Sequence, residues 1–501
     1  MRQGDLAFHR PSAISIKESR TNTQNPESVA AYVWDYECLL EGVAHFFELE
    51  QEIVRKGSVE AIRRHYEQNP DDKLCHIYRP GTREIVSCRR SGIDAVQRMA
   101  LRLVGEAANG CDLSAQRIAE IICERVLQVA IDHVTDDEEF VGILKTYVAA
   151  SEAEHVEAEY HFPCVLFHCG PSHPNFPPPP PDQFVLGPVT FRRYQAFLRE
   201  LNSAVQTGNM RQDERTIETF SESGEKYGWV ASIRIPLCAP DVSRRRAEQI
   251  VEAAINLLKV FIGLRHGRSM RLPHTAPSRN RETCVLTEVN NSVTWTWQGR
   301  SLDGALVSGD PTTDIPVCLQ GFAADLLNKS LTGSRDESTI RLLDALKWFG
   351  DASFEESGGV QIVKWIAALE RLTATERIDS GITHRFCKRV ALLASGLGTG
   401  QVDNAFRDAY RAYDLRSDVM HGSRSQDDEH LLINTGFVHD LTREALIGAL
   451  AMHHFLGTVV GEIEAESIEQ FYERSAVRHE PLFQKLKQEL RDQARSKAAS
   501  P

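Results

Sequence analysis

Arg416 and His421 stand five positions apart in the stretch Ala412-Tyr413-Asp414-Leu415-Arg416-Ser417-Asp418-Val419-Met420-His421-Gly422. Together the two side-chain types carry a chemistry. An arginine brings a permanent positive charge in a planar fork that fits phosphate oxygens, and a histidine titrates near neutrality and can move protons at physiological pH. To cleave an RNA strand with its own 2'-hydroxyl, the hydroxyl must lose a proton, the crowded phosphorus must have its charge offset, and the departing 5'-oxygen must gain a proton. A histidine can supply acid or base catalysis worth about 100- to 10,000-fold, and an arginine the charge stabilisation, with a comparable effect. The scheme needs no metal ion.

Spacing alone does not select this pair. Arg474 and His479 repeat the Arg-Ser-x-x-x-His pattern, and Arg268 with His274 and Arg424 with His430 come within one residue of it. Two cations near a helix C-terminus also have a bland role, since each favours the helix dipole by about 0.3 to 1 kcal/mol without catalysing anything. Context separates the first pair: it closes a run of amphipathic helices and precedes Gly422, the residue type expected just past a helix end.

Neighbouring residues give the pair candidate support. Tyr413 and Asp414 lie within a turn before Arg416, and Asp414 could hold a catalytic base in its useful tautomer. The hydroxyl of Ser417 can orient the arginine or a phosphate, and Asp418 follows it. Glu370 and Arg371 read as an ion pair or a solvated face. Arg244, Arg245 and Arg246 stand at a helix start, where cations are unfavourable, and Arg265, Arg268 and Arg271 cluster at its far end, a hint of an anion or RNA contact. His161, Cys164, His168, Cys169 and His173 are zinc-ligand types at a spacing that matches no common four-ligand plan, so no metal is expected. Pro177 to Pro181 form a stiff polyproline spacer. No phosphate-binding Gly-x4-Gly-Lys-Ser/Thr loop is present, so neither ATP hydrolysis nor a cofactor is indicated.

The elements that must carry these residues follow from periodicity. Apolar positions at helical spacing cover 28–68, a strand-like interval runs from Leu74 to Cys88, and helices resume over 92–106, 113–133 and 137–149. The period then shortens: Tyr160 to His168, Gln183 to Phe191 and Trp229 to Pro236 read as strands, and a helix capped by Asp241 or Ser243 runs to Leu264. Thr283 to Val289 and Ser292 to Trp297 form a hairpin closed at Asn290-Asn291. Five or six helices span Pro316 to Gly457, with apolar rows at Leu342, Leu343, Leu346 and Trp348 and at Leu441, Leu446, Ile447 and Leu450. A charged tail from Glu480 to Ala499 keeps Leu482, Phe483, Leu486 and Leu490 at helical spacing.

The fold class is therefore multidomain α+β. Residues 1–150 form a mainly helical N-terminal domain, 151–310 a mixed strand and helix region, 311–460 a helical bundle and 461–501 a charged helix or tail. At 501 residues the chain is too long for one ordinary core. A net charge of -13 argues against broad coating of nucleic acid, and residues 311–460 hold 15 Lys and Arg against 20 Asp and Glu. Any RNA site must be local. Eleven irregularly spaced cysteines do not form a disulfide framework, and no apolar run is long enough for a signal peptide core or a membrane span, so a cytoplasmic protein is expected.

The segment from Tyr413 through Arg416 and Ser417 to His421-Gly422 resembles the signature of the HEPN superfamily, within it the Apea-like branch. Upstream, Arg341 to Gly350 and Val363 to Leu372 resemble earlier helices of that branch, so the likeness covers residues 311–460. The resemblance implies an all-α bundle and a metal-independent endoribonuclease in which Arg416 and His421 are catalytic. It further implies a homodimer in which two Arg-His pairs line one cleft, and products with 2',3'-cyclic phosphate and 5'-hydroxyl ends. It also implies a toxin or abortive-infection effector against phage. The first 300 or so residues, outside the resemblance, are expected to sense or restrain, with a phage-derived trigger or a regulatory protein as partner. Many nuclease members carry Asn, Asp or His directly after the arginine, where this chain has Ser417. That departure keeps two alternatives open: a HEPN module that binds nucleotide or protein without turnover, and a purely structural dimerisation protein.

Overall fold

In the computed structural model the described residues are most of 31–39, then 74–78, 85–107, 110–131, 137–169, 182–206, 228–272, 283–289, 292–298, 305–307, 315–334, 336–374, 381–396, 401–460 and 465–498. Helices dominate, with a small four-stranded antiparallel sheet in the middle of the chain and helices towards both ends. Chain contacts separate two units, Met1–Ala153 and Glu154–Pro501. Among the described residues no helix is long and apolar enough to cross a membrane.

In the first unit, β1 (Leu74–Tyr78) pairs antiparallel with β2 (Ile85–Arg89), and α1 (Arg90–Glu106), α2 (Ala115–Ile131) and α3 (Asp137–Glu152) follow. Met99, Leu103, Ile118, Ile122, Leu144 and Tyr147 pack between these helices, with Tyr32 and Leu39 from the preceding segment. Most of the helical pattern expected over 28–68 lies outside the described residues.

The second unit opens with β3 (Val156–Val165) and β4 (Phe167–Cys169), then β5 (Gln183–Leu186), β6 (Val189–Arg193), α4 (Tyr194–Gln206) and β7 (Gly228–Cys238). The sheet order is β3-β7-β6-β5, antiparallel throughout. Next comes α5 (Pro240–Ile262), in which 15 of 23 residues are buried. A helix buried nearly all round is covered on more than one side. Here the sheet covers one side and the C-terminal helices another, so apolar residues from Cys164 to Leu486 belong to one continuous core. The start of α5 differs from expectation: Ala239 is its N-cap with no side-chain hydrogen bond, Pro240 opens the helix, and Ser243 is buried. Proline at the first helical position presets the helical φ and leaves one orphan N–H fewer, so the helix starts here without an Asp or Ser cap.

After the short α6 (Leu264–Gly267) come the antiparallel pair β8 (Thr283–Val289) and β9 (Ser292–Gln298), and β10 (Ala305–Val307), which runs parallel to β4. The bundle comprises α7 (Val317–Leu331), α8 (Glu337–Ala352), α9 (Gly358–Thr373), α10 (Ile382–Ala394), α11 (Val402–Met420) and α12 (Glu429–Val460), followed by α13 (Ala465–Val477) and α14 (Glu480–Ala498). Asp336 caps α8 by accepting the Thr339 N–H at 2.8 Å. Burial opposes its charge, yet hydrogen bonds from Ser334, Thr339 and Ser338 hold its carboxyl down at about 2. Trp348 is exposed, unlike the expected row, because the buried stripe of α8 runs through Leu342, Ala345, Leu346 and Phe349. In the tail, Phe483 and Leu486 are buried, the Phe483 ring meets Phe406 of α11, and Arg407 pairs with Glu489 at 2.8 Å. Its apolar stripe docks on the chain's own bundle.

Candidate functional site

On α11 the buried positions are Val402, Phe406, Ala409, Ala412 and Leu415, one helical stripe. Tyr413 and Arg416 each follow a stripe residue and stand half-buried at its border. His421 is the C-cap, its backbone N–H on the Ser417 carbonyl at 2.9 Å. Gly422 takes φ 72 with its N–H on the Val419 carbonyl at 3.2 Å. Nothing lies within 4 Å of where a Cβ on Gly422 would be, so the left-handed backbone, and not space, calls for glycine there.

The guanidinium of Arg416 is held from two sides. Its Nη2 lies 3.6 Å from Oε1 of Glu370 on the last turn of α9, and its Cζ lies 5.6 Å from the Tyr413 ring centroid. Tyr413 in turn leans on Phe386 of α10, ring centroids 5.0 Å apart. A separation of 3.6 Å makes Glu370 a counter-charge and not a hydrogen-bond acceptor, because charge-assisted N–H···O bonds run about 2.7 to 2.9 Å. Arg416 donates no hydrogen bond to any described residue. Other arginines of the bundle differ: Arg341 donates to the carbonyls of Arg371 and Ala374, Arg389 to that of Thr373, and Arg443 to those of Val260 and Phe261. Those forks fill the orphan acceptors of helix ends. The fork of Arg416 stays open to an anion. Burial pushes the Glu370 carboxyl above its usual range, and the charge of Arg416 opposes that rise.

His421 is exposed, and its ring makes no hydrogen bond or ion pair with a described residue. Five residues set it about 7.5 Å along the axis from Arg416, whose side chain is turned to Glu370. Asp414 lies two turns before His421, about 10 Å along the axis and beyond an aspartate's reach. Instead its charge acts on Cys387 of α10, whose thiol burial already pushes up. Ser417 is half-buried with an uncommitted hydroxyl. Asp418 accepts from Arg424 Nε at 3.0 Å, and Arg424 also lies 3.6 Å from Asp428, which straps the turn after His421. That turn is pinned to the start of α9: the Gln426 carbonyl accepts the Gly359 N–H at 2.9 Å and the Ser357 hydroxyl at 2.8 Å. A Cβ on Gly359 would come 2.8 Å from Gln426 Cα and O, so only glycine allows the approach.

The remaining sequence candidates lie elsewhere. Arg244 and Arg245 are exposed on the second turn of α5, whereas Arg246 is 8% exposed with Nη1 3.4 Å from the Leu331 carbonyl at the end of α7. Arg265 falls in α6, and Arg268 donates to the Glu355 carbonyl at 3.4 Å. A helix of 23 residues is about 34 Å long, so these two arginine groups flank α5 at opposite ends and form no common patch. His161 Nδ1 lies 2.9 Å from Ser232 Oγ and Cys164 is buried in the sheet core. Among the described residues no group of three or more His, Cys, Asp and Glu side chains converges as a metal site. His173 and Pro177 to Pro181 lie outside the described residues. Arg371 pairs with Asp344 at 2.8 Å, while Glu370 faces Arg416. In the sequence Glu370 reads as part of an ion pair or a solvated face, since a contact between two helix faces far apart in the chain leaves no local pattern.

No family model matches the chain, and neither a curated protein nor a solved structure matches it.

Proposed function

We propose that the helical bundle carries a metal-independent endoribonuclease of HEPN type, with Arg416 and His421 as its catalytic pair. One observation carries this reading: the Arg416 guanidinium is held by Glu370 and Tyr413 while its donors stay uncommitted, five residues before an exposed histidine at a helix end. Arg416 would take a phosphate oxygen and offset charge at phosphorus, and His421 would move a proton. Cleavage through the 2'-hydroxyl leaves a 2',3'-cyclic phosphate and a 5'-hydroxyl. Two proton transfers need two groups, and one protomer offers one histidine, which favours a homodimer that joins two such pairs. Met420, Leu432 and Ile433, 56%, 55% and 73% exposed, flank the turn after His421 and give such a contact apolar surface. The first 300 or so residues would sense or restrain, answering a phage-derived trigger or a regulatory protein, and the chain would serve as a toxin or abortive-infection effector.

The test is gel analysis of RNA incubated with purified protein in excess EDTA, with product ends identified. Wild type is expected to cleave. Arg416→Ala and His421→Ala should each lower the rate by about 100-fold or more while fold and oligomeric state persist. Cleavage that survives both substitutions would sink the site; absence of cleavage by wild type across tRNA, rRNA and mRNA would favour a HEPN module that binds without turnover.

A further inference from the structure

We propose that Glu370 is the positioning residue of Arg416: its carboxylate fixes the guanidinium by charge, leaves the donors open, and thereby sets how strongly the site takes a phosphate. The inference rests on the reading of Arg416 as the group that meets RNA.

The backbone beneath Glu370 is unusually well tied for a helix end. The Glu370 carbonyl accepts the Ala374 N–H at 2.8 Å, Arg341 holds the Arg371 and Ala374 carbonyls, Tyr472 donates to the Leu372 carbonyl at 3.3 Å, and Arg389 holds that of Thr373. Its carboxylate is therefore a counter-charge on a fixed base. Half-burial removes much of the water that would otherwise compete for it. A long arginine side chain samples many rotamers, and a fixed carboxylate on one side with the Tyr413 ring on the other selects among them. Because the pair stands at 3.6 Å, selection does not consume the N–H groups that would bind phosphate. The same negative charge lowers the positive potential an approaching phosphate meets. Removing it should tighten binding and slow the chemistry, a split that a merely structural residue would not produce.

The experiment compares wild type, Glu370→Gln, Glu370→Asp, Arg416→Ala and the Arg416→Ala/Glu370→Gln double variant. Affinity is measured for a 2'-O-methyl oligonucleotide, which lacks the attacking hydroxyl, and steady-state cleavage for the unmodified RNA. Glutamine keeps the shape and removes the charge, so Glu370→Gln should bind about two- to fivefold tighter while kcat falls about tenfold. Glu370→Asp keeps the charge at shorter reach and should hold affinity within about twofold while kcat falls. In the Arg416→Ala background the glutamine should give a clearly smaller gain in affinity and no further loss of kcat. Unchanged affinity in Glu370→Gln, an equal gain without Arg416, or no binding by any variant would overturn the proposal. A lower melting temperature with affinity and kcat unmoved would assign Glu370 a structural role. Should wild type bind the oligonucleotide and cleave no RNA, the ribonuclease reading fails while the affinity comparison still decides Glu370.

Discussion

Lys259 is the opposite of Arg416 in its surroundings. It stands on α5, 2% exposed, with Nζ 3.3 Å from the Gly350 carbonyl and 4.2 Å from the Phe354 ring centroid. Burial pushes its ammonium down to about 7, against the pull of Asp351 and Glu252, and Arg271 adds to the lowering. Between about pH 7 and the ordinary lysine value the unfolded chain binds a proton that the folded chain does not. Stability should therefore rise with pH across that window. Lys259→Met is expected to stabilise the protein by about 1 kcal/mol or more at pH 7, with the gain shrinking towards pH 10. Thermal melts of both proteins at the two pH values check this, and a gain that grows with pH would contradict the assignment. Residue identity marked Arg416 as a candidate in the sequence. The Lys259 environment was not legible there, because nothing local marks a lysine whose helix is covered on both sides.

At the scale of elements, period and punctuation explain what could be read. The strands around Tyr160, Gln183, Trp229 and Thr283 are rich in β-branched and aromatic residues and were legible, as was the end of α11 at Gly422. Gly358-Gly359 opens α9, and its purpose is tertiary: the start of α9 lies against the turn that follows His421. Gly359→Ala would place a Cβ 2.8 Å from Gln426 backbone atoms, and those atoms cannot swing aside as a side-chain tip would. We expect a loss of about 1 to 3 kcal/mol, the range typical of forced overpacking. Faster hydrogen exchange at the Gly359 amide and across 421–428, together with reduced RNA cleavage, would mark a displaced turn. Wild-type exchange in the variant would mean that the turn is held by the Arg424 pairs alone.

At the scale of the whole molecule, amphipathic stripes announce that a face is buried without saying against what. The stripe of Phe483 and Leu486 was legible, yet its partner, α11 of the same chain, was not. The same holds for α5, which read as one helix of a separate middle region. In the structure α5 is bound to the bundle at several points: Lys347 to Glu252 at 3.2 Å, Arg443 to the carbonyls of Val260 and Phe261, and Arg246 to that of Leu331. Gly350 also lies so close to Asn256 that a Cβ there would meet its side chain at 2.1 Å. A fragment of residues 311–501 would lose this helix, exposing the faces of α7, α8 and α12 that pack on it and leaving Arg443 without its acceptors. Residues 154–501 keep the core continuous. We expect 154–501 to melt in one cooperative transition, and 311–501 to aggregate or to show helical circular dichroism without such a transition. Equal cooperativity in the two fragments would make the bundle an independent domain, and the site around Arg416 would then owe nothing to the sheet and α5.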